Sequence, residues 1–227
     1  MPMKKRTPAP AGKSRKHGKR AASEQVPAAE AAKTTIRRLR GELARALRQI
    51  EELQASADTD FLLGIPNRRG FERELARALA YIKRYRASGA LIVLDVDRLK
   101  PINDAFGHAA GDQVLKAIAA VLTSNVRSSD VVGRLGGDEF ALLLWNLSET
   151  DAKAKAAALE EAIDRLSFEF QGRTITAGAS AGVAVLGSHA EEARALEEAD
   201  RAMYVRKAQR RHETNDAVSN DGALRVR

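Results

Sequence analysis

The spacing of apolar residues alternates between helical and strand-like along residues 58–209, and this alternation constrains the fold more than any other feature of the chain. Helical spacing is found in four segments, at residues 70–86, 111–126, 149–166 and 191–209. Runs typical of strands lie between them, at residues 90–96, 131–135, 140–145 and 174–186, the last of which can hold one or two strands. Interleaved helices and strands with a hairpin in the middle predict an α/β or α+β domain in which helices pack on one sheet.

A separate helix is predicted before this region, over residues 31–57. Its apolar residues repeat at steps of three and four, at Ile36, Leu39, Leu43, Ala46, Ile50 and Leu53. About three heptads of this kind are at the lower limit for a coiled coil. The spacing fits either a coiled coil between two copies of the chain or an amphipathic helix packed on its own domain.

The net charge of +8 is concentrated at the N-terminus. Residues 1–23 carry eight lysines and arginines and no acid, whereas the rest of the chain has 30 basic and 30 acidic residues. With four prolines as well, residues 1–30 are predicted to be a disordered basic tail. The tail is expected to solubilise the protein or to bind nucleic acid weakly. The polar residues 213–227 are predicted to form a flexible C-terminal tail.

Two absences from the sequence exclude several classes of protein. There is no cysteine, which excludes a disulfide scaffold, a thiolate metal site and a cysteine nucleophile. The longest apolar run, residues 140–145, is far too short to span a bilayer. A cytoplasmic protein without a membrane span is therefore expected.

Acidic residues lie at the end of one predicted strand and at the tip of the predicted hairpin. Asp95 and Asp97 flank Val96 where a buried strand ends, and Asp138 and Glu139 follow two glycines in the hairpin. If the hairpin lies beside the first strand, Asp95 and Asp138 converge. Converging carboxylates repel each other, so they indicate a hard cation such as Mg²⁺ together with substrate phosphates. The alternative is a glycine hairpin that carries solvated acids.

Six motifs, taken in order along the chain, resemble those of the GGDEF family of diguanylate cyclases. They are residues 66–69 (PNRR), 95–104 (DVDRLKPIND), 106–112 (FGHAAGD), 134–140 (RLGGDEF), 180–184 (SAGVA) and 199–204 (ADRAMY). The resemblance covers residues 58–212, which are expected to form the GGDEF domain. It implies a palm-like fold, with a central and mainly antiparallel sheet wrapped by helices.

The resemblance also implies a reaction, in which two GTP molecules condense to cyclic di-GMP with release of two pyrophosphates. Mg²⁺ is the implied cofactor, with Mn²⁺ as a possible substitute. One domain binds one GTP, so a homodimer is implied, and the coiled-coil interpretation of residues 31–57 gains support. The alternative is a catalytically silent domain that acts as a receptor for GTP or cyclic di-GMP. The intact residues 136–140 favour the enzyme.

Matching the motifs residue by residue implies roles at the reacting end of the substrate. Asp95, Asp138 and the carbonyl of Val96 match the metal ligands of the family. Asp138 also matches the base for the attacking 3′-hydroxyl, with Glu139 beside it. Lys100 matches a lysine near the phosphates.

Other matches concern substrate binding. Asn103 and Asp112 match the pair that recognises guanine, although a helix cap and a first-turn acid would explain them equally well from local sequence. His108 is a further candidate for substrate binding, with packing in a turn as the alternative. Lys207 and Arg211 match two cations that hold the triphosphate, and their alternative is a solvated helix end.

Arg127 and Asp130 form an R-x-x-D motif that five residues separate from Gly136. In the GGDEF family this spacing marks an inhibitory site for the product, cyclic di-GMP. The planar guanidinium of arginine suits guanine edges and phosphates. The alternative is a salt bridge at the end of a helix.

Four residues depart from the pattern of the family. Leu63 replaces a threonine, so that a local hydrogen bond is missing, and Leu99 replaces a phenylalanine. Near the end of the domain, Arg210 replaces a glycine and His212 replaces an asparagine. The last two raise the question of whether Arg211 reaches the phosphates.

Overall fold

The computed structural model describes the backbone of residues 19–224 and the side chains of residues 30–31, 33–50 and 57–213. The elements within these residues are α1 (Lys19–Ala57), α2 (Arg68–Tyr85), β1 (Gly89–Asp97), α3 (Leu99–Phe106), α4 (His108–Ser124), β2 (Val131–Arg134), β3 (Glu139–Trp145), α5 (Glu149–Asp164), β4 (Ser167–Phe170), β5 (Arg173–Thr176), β6 (Gly178–Leu186) and α6 (Glu192–Leu224). The chain divides between Gln54 and Ala55 into two compact units. None of the described helices combines the length and the apolar character that a membrane span requires.

Helix α1 begins at Lys19, well before the start predicted at residue 31. Its first part is rich in alanine, the best helix former, so the helix extends into the segment predicted to be disordered. Residues 1–18 of the predicted basic tail lie outside the described residues. The apolar stripe of α1 is exposed to solvent to between 49% and 59%, at Ile36, Leu39, Leu43, Leu47 and Ile50.

The second unit is built on a four-stranded sheet with the order β2-β3-β1-β6. All three strand pairs are antiparallel. The central strand β1 is buried along most of its length, which explains its continuous apolar sequence. The predicted antiparallel sheet wrapped by helices is therefore confirmed.

Successive residues of β1 face two different hydrophobic cores. Ile92 and Leu94 pack with residues of α4 and α5 on one side of the sheet. Leu91 and Val93 pack with residues of α2 and α6 on the other side. This alternation follows from the period of two in a strand. The polar residues at the end of β1 lie where both hydrophobic cores end.

Two short elements escape the sequence patterns. Helix α3 has eight residues, includes Pro101, and begins after Arg98, whose φ of 63° is left-handed. A proline in the first turn is tolerated because its missing N–H has no partner in the helix. Strand β4 pairs with β5 in a separate two-stranded sheet, and residues 171–172 turn between them with positive φ.

Helix α6 packs unusually close to β6. A Cβ on Gly182 would lie 2.0 Å from the Ala199 carbonyl oxygen and 2.1 Å from the Met203 nitrogen, so only glycine fits there. This contact fixes the part of α6 that precedes Lys207 and Arg211. The helical backbone continues to Leu224, where the sequence predicts a flexible tail. Extending an existing helix is far easier than starting one, which accounts for the difference.

Candidate active site

The acidic residues at the two strand ends meet at one edge of the sheet. Asp95 of β1 lies opposite Glu139 of β3, and the Val96 N–H donates to the Asp138 carbonyl over 2.9 Å. The expectation that the hairpin lies beside the first strand is confirmed. We call Asp95, Asp138 and the main chain of Val96 the acidic corner.

The carboxylate of Asp95 is in an unfavourable environment for its charge. It is 13% exposed and forms an ion pair with Lys207 of α6. Burial raises the pKa of Asp95; the hydrogen bond and charge of Lys207 oppose the rise, and the charges of Asp138 and Asp97 add to it. A further cation near Asp95 would therefore be stabilising.

The acidic corner offers oxygen ligands suited to a magnesium ion. The described residues contain no cluster of three or more His, Cys, Asp or Glu that could hold a metal by themselves. Magnesium is commonly bound by one or two carboxylates, with substrate phosphates and waters completing its shell. Two carboxylates and one carbonyl, with Lys207 already paired to Asp95, fit that mode of binding.

Two arginines hold the glycine turn before Asp138 by donating hydrogen bonds to its carbonyl groups. Arg68 donates from Nε to the Leu135 carbonyl at 2.7 Å. Arg134 donates to the carbonyls of Gly136 at 2.9 Å and Gly137 at 2.6 Å. Both arginines lie within motifs noted in the sequence, but only the structure assigns them this role.

Arg134 in turn depends on Asp60, which accepts from its guanidinium at 3.1 Å. The same Asp60 accepts from the N–H groups of Leu62 and Leu63 at 3.0 and 2.9 Å. At Leu63, where the family pattern has threonine, hydrogen bonds from the backbone to the Asp60 carboxylate therefore hold the turn. No pattern in the sequence singles out Asp60.

A cleft of about 720 Å³ opens beside the acidic corner. Its lining includes Asp138 and three of the predicted cations, Lys100, Lys207 and Arg211. A smaller cavity of about 290 Å³ is lined by Asp95, Glu139, Lys207 and Arg211, among others. The structure thus brings together the predicted metal ligands, the predicted base and the predicted phosphate-binding cations.

Arg210, which replaces the glycine of the family pattern, also lines the larger cleft. Its guanidinium lies 2.7 Å from Asp164 Oδ1, 3.4 Å from Asp97 Oδ2 and 3.7 Å from Glu160 Oε2. Burial alone would lower the pKa of Arg210. The hydrogen bond to Asp164 and the charges of Asp164, Glu160 and Asp97 outweigh burial, so that the pKa of Arg210 is raised. The sequence marks Arg210 only as a departure from the family pattern, since these contacts join residues far apart in the chain.

The predicted guanine-binding residues lie together on α3 and α4. The Oδ1 atom of Asn103 is buried and has no hydrogen-bond partner among the described residues. A Cβ on Gly111 would lie 2.0 Å from that oxygen, so the glycine leaves room for the amide. Asp112 is half-buried and His108 is exposed at the start of α4. Neither the 720 Å³ cleft nor the 290 Å³ cavity includes them.

Arg127 and Asp130 lie at the opposite end of β3. The Asp130 carboxylate accepts from the N–H groups of Arg127 at 2.9 Å and Trp145 at 3.2 Å. Trp145 is separated from Glu139 by the length of β3, roughly 20 Å at the usual rise per residue. The guanidinium of Arg127 forms no ion pair with Asp130 in this arrangement of described side chains, contrary to the salt-bridge alternative.

The two remaining departures lie away from the acidic residues. Leu99 is 7% exposed and packs in the core shared with α4 and α5, so the change from phenylalanine concerns packing. His212 is exposed on α6, beyond the cations that line the cleft.

Comparison with known proteins gives a consistent result for most of the chain. Residues 57–213 match the family model described as "Diguanylate cyclase, GGDEF domain". The chain is 41% identical over 174 residues to diguanylate cyclase TpbB of Pseudomonas aeruginosa and 37% identical over 161 residues to the probable diguanylate cyclase DgcE of Escherichia coli. These matches cover 74% and 70% of the chain but only 39% and 15% of the relatives. The chain thus spans well under half of either relative.

Solved structures show the same similarity. The GGDEF domain of TpbB matches with a TM-score of 0.62 and 41% identity, covering 66% of this chain and 89% of that one. The coiled coil and GGDEF domain of DgcB from Caulobacter crescentus, solved in complex with c-di-GMP, matches with a TM-score of 0.68 and 26% identity. That match covers 80% of this chain and 94% of the other.

Proposed function

Because the chain belongs to the GGDEF family of diguanylate cyclases, we propose that it condenses two molecules of GTP into cyclic di-GMP. One observation carries the proposal: the pairing of β1 with β3 gathers Asp95, Asp138 and Glu139 beside a cleft lined by Lys100, Lys207 and Arg211. Carboxylates for a metal and cations for phosphates are what nucleotidyl transfer requires. None of the family departures replaces one of these residues.

We assign the metal ligands to the acidic corner. Asp95, Asp138 and the Val96 carbonyl would hold Mg²⁺, or Mn²⁺ in its place. The metal supplies charge neutralisation at the triphosphate and a lower pKa for the attacking hydroxyl. The burial of Asp95 beside Asp138, which raises the pKa of Asp95, supports this assignment because a bound cation would stabilise the charged carboxylate.

The side chains around the cleft would then have two roles, binding the triphosphate and accepting the proton of the attacking hydroxyl. Lys100, Lys207 and Arg211 hold the triphosphate so that its α-phosphate faces the second nucleotide. The 3′-hydroxyl oxygen of one GTP attacks that phosphorus, pyrophosphate leaves with the cleaved P–O bond, and Asp138 accepts the hydroxyl proton. A second, identical step closes the ring. Glu139, held by Arg68 at 3.3 Å, keeps its carboxylate at the turn.

We place the guanine base against α3 and α4. The unpartnered Asn103 Oδ1 can accept from the base, and its amide can donate to the base. The carboxylate of Asp112, one residue after Gly111, can accept from guanine N1 and N2. His108 is exposed at the helix start, where it can reach a bound nucleotide.

Two further parts of the proposal involve a second copy of the chain and the product. A homodimer through the exposed stripe of α1 would bring two cyclase sites together. Product inhibition would act through Arg127, whose guanidinium is exposed and available for guanine and phosphate. Asp130 supports that loop through its bonds to Arg127 and Trp145.

The test is an assay of purified protein with GTP and Mg²⁺, with nucleotides separated by chromatography. We expect cyclic di-GMP from the wild type and none from Asp138→Ala, because the variant lacks both a metal ligand and the base. Asp151→Ala, which removes an exposed carboxylate on α5, is the matched control and is expected to stay active. Early stalling of the reaction, relieved by Arg127→Ala, would support the inhibitory site.

Absence of product at every protein and metal concentration would reject the enzyme. Binding of GTP or cyclic di-GMP without turnover would then identify a receptor. Full activity of Asp138→Ala would reject the assignment of the base and metal ligand.

A further inference from the structure

Arg210 differs from the other cations of the cleft because acidic side chains surround it. Three carboxylates lie within 3.7 Å of its guanidinium, and its side chain is 20% exposed. Its positive charge is therefore compensated locally, which makes it a poor ligand for a phosphate. By contrast, Arg211 lines the same cleft and is exposed.

We infer that Arg210 is a positioning residue that sets the charge of the acidic corner by compensating Asp97. This inference rests on the proposed function. Asp97 follows Asp95 by two residues, and its charge is felt at Asp95. With Arg210 in place, Asp97 is paired with a cation, so a metal at the acidic corner meets Asp138 and Asp95, the latter shared with Lys207.

The surrounding structure holds the pair formed by Arg210 and Asp97 in place. Ser180, which is fully buried, donates to Asp97 at 3.1 Å. A Cβ on Gly178 would lie 3.2 Å from Arg210 Nη2 and 3.5 Å from Asp97 Oδ2, so the glycine leaves the space that the guanidinium occupies. The contacts with Asp164 and Glu160 also tie α6 to α5, close to the cations that line the cleft.

Removing Arg210 should therefore have opposite effects on cations and anions. The uncompensated charge of Asp97 would attract a divalent metal more strongly and repel the triphosphate. A loss of stability alone would weaken both kinds of binding together. This difference in sign separates a positioning role from a purely structural one.

Arg206 provides a matched control in the same helix. It lies one turn before Arg210, and it forms an ion pair with Glu160 at 3.0 Å and another with Glu213 at 3.4 Å. It does not line either cavity of the acidic corner. Arg206→Gly and Arg210→Gly thus share the loss of a partner for Glu160 and the same loss of helix propensity.

The experiment measures Mn²⁺ binding by electron paramagnetic resonance, KM and kcat for GTP at saturating Mg²⁺, and thermal stability. For Arg210→Gly we expect about three- to tenfold tighter Mn²⁺ binding and a KM higher by a similar factor, as one unit charge across a partly solvated cleft would produce. We expect kcat to change less. Arg206→Gly should lower Tm without changing Mn²⁺ affinity or KM for GTP. Arg210→Lys should restore both Mn²⁺ affinity and KM to the wild-type values.

A double-mutant cycle tests whether Arg210 acts through Asp97. In an Asp97→Asn background, Arg210→Gly is expected to leave Mn²⁺ affinity unchanged. Three outcomes would overturn the inference. Arg210→Gly could have equal effects in both backgrounds, Arg206→Gly and Arg210→Gly could have equal effects, or Arg210→Gly could bind Mn²⁺ more weakly than the wild type. If the wild type were active and Arg210→Gly could not be distinguished from it, this inference would be overturned and the proposed function would stand. A wild type that binds neither Mn²⁺ nor GTP would overturn the proposed function as well.

Discussion

Asp95 is the residue whose ionisation the fold penalises. Burial raises its pKa above the ordinary value of 3.8, Lys207 opposes the rise, and Asp138 and Asp97 add to it. A raised pKa means that the folded protein binds the proton more tightly than the unfolded chain does. Its contribution to stability is therefore complete below the ordinary pKa and is lost as pH rises through the folded pKa.

We predict the consequence for the metal-free protein in EDTA. As pH rises from about 4 to about 7, the wild type should lose stability relative to Asp95→Asn, which has no proton to lose. Thermal unfolding of both proteins at matched pH values measures the difference. Adding Mg²⁺ at neutral pH should raise the Tm of the wild type and leave Asp95→Asn nearly unchanged. A difference in Tm that stays constant with pH would contradict the prediction.

At this scale the sequence predicts the residues that lie inside motifs. Asp95 stands out because it ends a strand pattern beside a further acid, and Asp138 because it follows two glycines in a hairpin; the pairing of β1 with β3 brings the two close together. The contacts of Arg210 could not be predicted. Its partners belong to β1 and α5, so their proximity depends on how three elements pack.

The turn between β2 and β3 is positioned by Arg134, the last residue of β2, and by a side chain from outside the hairpin. Glycines give this turn little rigidity of its own. Arg134 supplies it by binding two carbonyls of the turn, and Asp60 holds Arg134 from the segment before α2. Both side chains of that ion pair are at most 15% exposed.

We therefore predict that Arg134→Gln impairs both catalysis and stability. Loss of the nearly buried ion pair should cost about 2–4 kcal/mol, because Asp60 keeps a charge without its partner. Displacement of Asp138 should lower kcat by up to about 100-fold, with a smaller effect on KM. Denaturant unfolding and steady-state kinetics measure the two effects at a temperature where the variant is folded.

Arg201→Gln is the control for this prediction. Arg201 forms an ion pair with Glu197 on the exposed face of α6, and its loss should cost less than about 1 kcal/mol. An unchanged kcat in folded Arg134→Gln would show that the turn keeps its shape without the arginine.

Among elements, the long periodic ones and the short strand β2 were predicted, whereas α3 and β4 were not. Helices α2, α4 and α5 and strands β1 and β3 lie within a few residues of their predicted ranges. Helix α3 is too short for periodicity to show, and its start depends on the left-handed Arg98. The polar alternation of β4 is equally short, and only its pairing with β5 defines it as a strand.

Over the whole chain, the reaction proposed for the second unit requires a second copy of it. A single domain that binds one GTP cannot form both phosphodiester bonds. The first unit offers a means of association, because α1 exposes a continuous apolar stripe that a single helix leaves in water. The heptad spacing predicted four of these five residues, and Leu47 joins them beside the predicted Ala46. The side chain of Leu53, the last residue of the predicted heptads, lies outside the described residues.

We predict that Leu43→Ser weakens the dimer and makes activity depend on protein concentration. Leu43 lies in the middle of the stripe and is 59% exposed in the single chain. Loss of its burial in both copies should raise the dimer dissociation constant at least about tenfold. Specific activity should fall at low protein concentration and recover at high concentration, while kcat of the dimer is unchanged. Analytical ultracentrifugation and an assay over a dilution series measure both effects.

Arg45→Ser is the matched control, because residue 45 lies on the opposite side of the helix and receives the same new side chain. It should leave both the mass in solution and the dilution profile as in the wild type. If Leu43→Ser and Arg45→Ser behaved alike, α1 would not be the dimer contact. If the wild type were monomeric and still active at high dilution, the two sites would meet without a stable dimer. Each outcome therefore decides whether the apolar stripe of α1 assembles the enzyme.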